Sequence, residues 1–106
     1  MSKFRTLLSK KLKDKKISQN RFARMIDVTP TYVNNMINGK SGPPERDLQM
    51  KIANSLGLEG EERYKFFNNV AKEKKDIPSD IYDGIFKSKD SWNKIREILK
   101  GENIIK

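Results

Sequence analysis

Residues 17–39 read ISQNRFARMIDVTPTYVNNMING, and this stretch decides the fold. It predicts two short helices joined by a tight turn. Ser18 can cap the first, because its hydroxyl can accept from an unpaired N–H of the first turn. Phe22, Ala23 and Ile26 then recur at helical spacing and make one apolar face. Asp27 and Val28 interrupt the pattern. Thr29 can cap a second helix, and Pro30 falls on its first position, where a missing N–H costs nothing. Val33 and Ile37, four apart, are expected inside, leaving Thr31, Tyr32, Asn34 and Asn35 on other faces. Gly39 is the natural stop.

Outward from this pair, every segment keeps a helical period. Phe4, Leu7, Leu8 and Leu12 predict an amphipathic helix over 3–15. KSGPPER, 40–46, is a loop, since Gly-Pro-Pro cannot continue a helix. Leu48, Ile52, Ala53 and Leu56 predict a fourth helix closed by Gly57. Residues 61–74 predict a fifth, with Tyr64, Phe67, Val70 and Ala71 buried, acids at its start and lysines at its end, as the helix dipole favours. Asp76 to Pro78 read as a connector. Beyond it, 79–87 predict a short helix capped by Ser79 with Ile81, Ile85 and Phe86 apolar, and 90–100 a further one ended by Gly101. Trp92, Ile95, Ile98 and Leu99 share one face of that last helix. These C-terminal helices either cap the core or form a dimer surface, because they offer more apolar area than a small bundle needs. Ile104 and Ile105 either fray or join the same contact. The expected fold is all-α, with no internal repeat.

Composition narrows the function. A chain of 106 residues is one domain's worth, able to bury one modest core. The net charge of +9 favours polyanionic partners, nucleic acid or anionic lipid. Most of the excess sits in residues 1–16, where Lys3, Arg5, Lys10, Lys11, Lys13, Lys15 and Lys16 face one acid, Asp14. There is no cysteine and no histidine, hence no disulfide framework, no thiolate site, and neither the commonest general base nor the commonest metal ligand. No paired acids stand ready for acid–base work; Asp80 and Asp83 more simply open a helix. No enzyme, cofactor or small-molecule substrate is expected. No apolar run approaches a membrane span and no secretory signal follows Met1, so a cytoplasmic location without membrane contact is the expectation. No aromatic stacking platform for RNA is evident.

The 17–39 stretch resembles the helix-turn-helix of the lambda repressor and Cro type, the Xre family. The features that carry the resemblance are Ser18-Gln19, Ala23, Val28-Thr29, Val33, Asn38-Gly39-Lys40 and, further on, Ile52-Ala53-Asn54-Ser55-Leu56-Gly57-Leu58. It covers roughly residues 5–75. It implies a five-helix DNA-binding unit over 1–75, followed by a C-terminal helical extension over 76–106 in which Trp92, Ile95, Ile98 and Leu99 are the expected dimerisation residues. It further implies a sequence-specific regulator of double-stranded DNA, a repressor of the phage or mobile-element kind. Such a protein acts as a homodimer reading half-sites about one helical turn apart. The same resemblance marks Asp27 as a position that commonly wants φ > 0, and residues 14–17 as a loop lacking the family's usual glycine. Ile37 stands where some relatives carry an acid paired to the first helix, so that salt bridge is not expected.

The 30–38 helix supplies the expected base contacts. Asn35 can bond an adenine edge bidentately, and Thr31 offers a hydroxyl plus a methyl suited to thymine. Tyr32 can reach a base or a phosphate, Asn34 is a lesser reader, and Thr29 and Pro30 stand at the helix start, where the family makes contacts. No arginine lies on this helix, which biases the reading to A·T pairs. Lys13, Gln19, Arg21, Asn38, Lys40 and Ser41 are the expected phosphate contacts, which fix register without carrying sequence information. The competing reading is a protein-interaction module on the same fold, an antitoxin or an inhibitor of a nucleic-acid enzyme, motivated by the surplus apolar tail.

Overall fold

A computed structural model describes residues 3–106; Met1 and Ser2 lie outside the described residues. Seven helices and no strand occur among them: α1 Lys3–Asp14, α2 Gln19–Met25, α3 Pro30–Ile37, α4 Arg46–Ser55, α5 Gly60–Lys74, α6 Ser79–Lys87 and α7 Ser91–Gly101. The caps fall where local chemistry puts them. Ser18 Oγ accepts from the Arg21 N–H and Thr29 Oγ1 from the Tyr32 N–H, each at 3.1 Å. At the far end of α3, Gly39 takes φ +79°, while the Lys40 N–H reaches back to Asn35 O at 2.8 Å. This left-handed turn satisfies carbonyls that the helix end leaves open.

One core joins α1 to α5. Phe4, Leu8, Phe22, Val33, Ile52 and Phe66 are among its fully buried members. Three expectations need correction. Tyr64 is 55% exposed and Phe66, not Tyr64, fills the core beside Phe67; Tyr64 lies at the margin of the stripe, one turn before the helix is covered. Ser79 is not the cap of α6. Pro78 precedes the helix, and Ser79, buried in its first turn, donates its hydroxyl to Gln49 Oε1 at 2.8 Å. Nor do the C-terminal helices cap the core together. α6 packs on α4 and α5, whereas α7 buries none of its residues.

Four described residues that are not glycine take left-handed backbone: Lys16, Asp27, Lys75 and Asn103. Asp27 has φ +59°, as its place in the turn led one to expect, and Lys16 has φ +56°. A left-handed lysine carries a steric cost of about 1–2 kcal/mol, partly offset by the backbone entropy that a glycine would lose. Lys16→Gly is therefore expected to raise stability by about 0.5–1 kcal/mol, readable as a higher urea midpoint with an unchanged slope.

Two arginines staple the helices. Arg5, on α1, is 7% exposed. Its Nε donates to Met36 O at 2.6 Å, its Nη2 to Ser41 O at 3.0 Å, and its Nη1 meets both carboxylate oxygens of Glu73 at 2.8 Å. The salt bridge absent at Ile37 is thus replaced by one from α1 to α5, and the same guanidinium clamps the exit of α3. Arg46, at the start of α4, holds α6. It bonds Asp76 Oδ2 at 2.6 Å, donates to Ile77 O at 3.2 Å and lies 3.8 Å from the centre of the Tyr82 ring. The Ile77 N–H first, and Arg46 besides, hold the Asp76 carboxyl below the usual carboxylate range.

Candidate nucleic-acid interface

α2 and α3 meet along Phe22, Ala23, Ile26, Val33 and Met36, all fully buried. A small side chain at Ala23 lets the two backbones cross closely. Burial of Val33, Met36 and Ile37 fixes the rotation of α3 about its own axis. Its opposite side is left to solvent. Thr29, Pro30, Thr31, Asn34 and Asn38 are exposed, and Asn35 is half-buried. Neither α6 nor α7 covers this side, since α3 packs on α1 and α2.

The two asparagines of α3 and the one at its C-cap are not equivalent. Asn34 Nδ2 donates to Gln19 Oε1 at 3.2 Å across the turn, and Asn34 Oδ1 accepts from Asn38 Nδ2 at 3.1 Å. Gln19 thus accepts through its amide oxygen and keeps its amide N–H groups, which can only donate, without a hydrogen bond among the described residues. This chain draws Gln19, Asn34 and Asn38 into one polar rail, a tie that local spacing does not reveal because fifteen positions separate Gln19 from Asn34. Asn35 differs: its backbone carbonyl accepts from the Lys40 and Ser41 N–H groups at 2.8 and 3.2 Å, but its side-chain amide has no partner among the described residues. With Thr31, four positions earlier on the same face, Asn35 offers an uncommitted donor and acceptor set.

Tyr32 leans inward. It is half-buried and packs against the core, and burial first, with the Glu45 charge second, pushes its hydroxyl above the ordinary tyrosine range. It therefore stays a neutral phenol at physiological pH, able both to donate and to accept. Ser41 has its hydroxyl buried without a hydrogen-bond partner, and its backbone N–H and carbonyl are given to Asn35 O and to Arg5 Nη2.

The cations sort themselves by pairing. Arg5 is spent on Glu73 and the α3 exit, and Lys11 on Glu62 at 2.7 Å. Lys13, Arg21 and Lys40 are exposed and without an ion pair among the described residues. By charge alone Arg5 is one more member of the N-terminal basic run. A signal was available: it shares a heptad-spaced line with Leu8 and Leu12, the buried stripe of its helix.

The order of helices, the buried Ala23 and Val33, and an uncovered polar face on the second helix of a tight pair are the geometry of a groove-reading motif. A helix-turn-helix family model matches residues 8–62, from mid-α1 to the start of α5. The chain belongs to the helix-turn-helix family of lambda-repressor, or Xre, type. This is a family of DNA-binding regulators. Comparison with curated proteins and with solved structures gave no match. In this helix-turn-helix protein, no described helix is long and apolar enough to cross a membrane.

Proposed function

We propose that this chain is a sequence-specific regulator of double-stranded DNA, a repressor of the phage or mobile-element kind, with α3 in the major groove. The observation that carries the reading is that α3 buries one face completely and leaves the other polar and uncovered. Thr31 and Asn35 read base edges, with Asn34, Tyr32, Thr29 and Pro30 beside them. Lys13, Gln19, Arg21, Asn38, Lys40 and Ser41 hold the phosphates on either side. The helical extension over 76–106 follows the DNA-binding domain over 1–75, and the regulator works as a homodimer on a pseudo-palindrome, occluding a promoter by occupancy. Catalysis has no part in this reading, which rests on binding alone.

Selection of sites from random duplexes tests it. An enriched pseudo-palindrome rich in A·T pairs, with half-sites about one helical turn apart, is the expected result. Recovery of unselected sequence sinks the reading. On the selected site, neutralising about five phosphates per protomer gives log K against log salt a slope of about −4 to −5 for each protomer bound. A protein-interaction module is the second reading, favoured by the apolar surface on α6 and α7; a stoichiometric protein partner with no enriched site is its signature.

A further inference from the structure

Not all of the basic charge on α1 faces α3. At about 100° per residue, Lys3 and Lys10 stand roughly 150° around the helix from Arg5, whose guanidinium grips the α3 exit and Glu73. They border the groove where α1 runs along α5. One cavity in this groove, of about 490 Å³, is lined by Lys3, Lys10 and Lys65, with Thr6 and Leu7 between them. A second, of about 270 Å³, is lined by Lys3, Asn69 and Lys72. The two helices run antiparallel, since Lys3 shares a cavity with Lys72 while Asp14 shares one with Glu61. Seven positions separate Lys3 from Lys10, and seven separate Lys65 from Lys72. Each interval is about 10 Å along its helix, so two lysine rows, each two turns long, face one another.

The rows are not neutralised within the chain. All four lysines are exposed, and none makes an ion pair among the described residues. Of the acids lining the groove, Glu73 is turned to Arg5 and Glu62 to Lys11. Asp14 and Glu61 stand one turn from Lys10 and Lys65 and close no bridge onto them. A lone lysine on a helix is ordinary, but facing rows repel, and a bound polyanion relieves the repulsion. The other lining residues choose among polyanions. Leu7, half-buried, is the one apolar side chain lining either cavity. That is too little for an acidic amphipathic helix, which needs apolar anchors at successive turns. Lysines with a threonine and an asparagine between them are instead the side chains that meet sugar–phosphate backbone.

We propose that the α1–α5 groove is a second DNA-binding surface, which holds the phosphate backbone of a duplex through Lys3, Lys10, Lys65 and Lys72 without reading its sequence. α3 packs on α1 with its buried face, so its polar face points away from α1, while the groove opens on the far side of α1. A duplex lying along α3 therefore leaves the groove uncovered, and a second duplex segment can be held at the same time. The surface binds whether or not α3 reads bases, so it goes beyond the function proposed above and stands on separate residues.

Amide NMR spectra of the full chain, titrated at low salt with a short duplex of arbitrary sequence, test the proposal. Signals of α1 around Lys3 and Lys10 and of α5 around Lys65 and Lys72 should shift. A variant carrying Lys3→Gln, Lys10→Gln, Lys65→Gln and Lys72→Gln changes only exposed helix positions, so its helicity should persist. The dissociation constant read from those signals should rise by about 10-fold or more, as loss of several phosphate contacts demands. A second variant loses the same charge elsewhere, through Lys89→Gln, Lys94→Gln, Arg96→Gln and Lys106→Gln, and should change that constant by less than about 3-fold, the effect of net charge alone. Three results overturn the proposal: shifts confined to α2 and α3, an equal loss in both variants, or a glutamate oligomer of the same charge that binds the groove as tightly as the duplex. Shifts confined to α2 and α3 leave the proposed function standing. Groove shifts without any at α3 support the second surface and count against α3 as the reader.

Discussion

Arg5→Met is expected to lower unfolding free energy by about 2–4 kcal/mol, a large part of the roughly 5–15 kcal/mol that holds a domain of this size together. Methionine keeps the apolar stem but removes every donor. Glu73 is left as a carboxylate whose side chain is only 28% exposed, and the carbonyls of Met36 and Ser41 lose their side-chain donor. Removing one partner of a buried pair costs more than the pair itself contributes, because the survivor keeps its desolvation penalty. The partial exposure of Glu73 places the figure toward the lower half of that range. Two controls separate this cause from simple loss of packing. Arg5→Met with Glu73→Leu should recover part of the loss, and Arg5→Lys should recover little, because a lysine cannot reach three directions at once. Urea denaturation of wild type, Arg5→Met, Glu73→Leu and the double variant measures the cycle, with Arg5→Lys beside it. The consequence for binding is indirect: the guanidinium ties down the exit of α3, so the residual folded Arg5→Met protein should hold DNA less tightly as well.

The second large effect is on recognition. Thr31→Ala and Asn35→Ala should each weaken binding to a selected operator by about 10- to 100-fold, since a good base-edge contact is worth about 1–3 kcal/mol of discrimination. Neither side chain makes a hydrogen bond to the described residues, so stability should stay within about 0.5 kcal/mol of wild type. Lys40→Ala is the contrast. It should weaken all duplexes alike and reduce the salt slope by about one, the signature of a lost phosphate contact. Asn34→Ala should differ from both: it breaks the rail from Gln19 to Asn38 and so loosens positioning as well as any reading by Asn34. Competition titrations on cognate and scrambled duplexes distinguish the three patterns.

The part of the fold that local chemistry governs was legible in advance. Ser18, Thr29, Pro30 and Gly39 mark their helix ends because capping and φ preferences act over a few residues. Val33 and Ile37 mark the hidden side of α3 because their spacing does. What escaped depended on distant partners. Arg5 looked like part of a solvated charge run until Glu73, 68 positions away, came beside it. Ser79 looked like a cap, but Gln49 claimed its hydroxyl. Tyr64 and Phe66 both lie near the edge of the α5 stripe, and only the neighbouring helices decide which edge is covered. The exposed polar residues on α3 followed from period and polarity; the rail through Gln19 did not, because it bridges two helices.

The most direct test of the central claim is photocrosslinking to a selected operator carrying 5-iodouracil in place of thymine, where the halogen projects into the major groove. Trypsin cuts after Arg24 and Lys40, so the whole of α3 leaves in one peptide, residues 25–40. Insertion of α3 predicts that this peptide carries the crosslink at thymines within each half-site. Crosslinks confined to peptides of α1, α6 or α7 would contradict it.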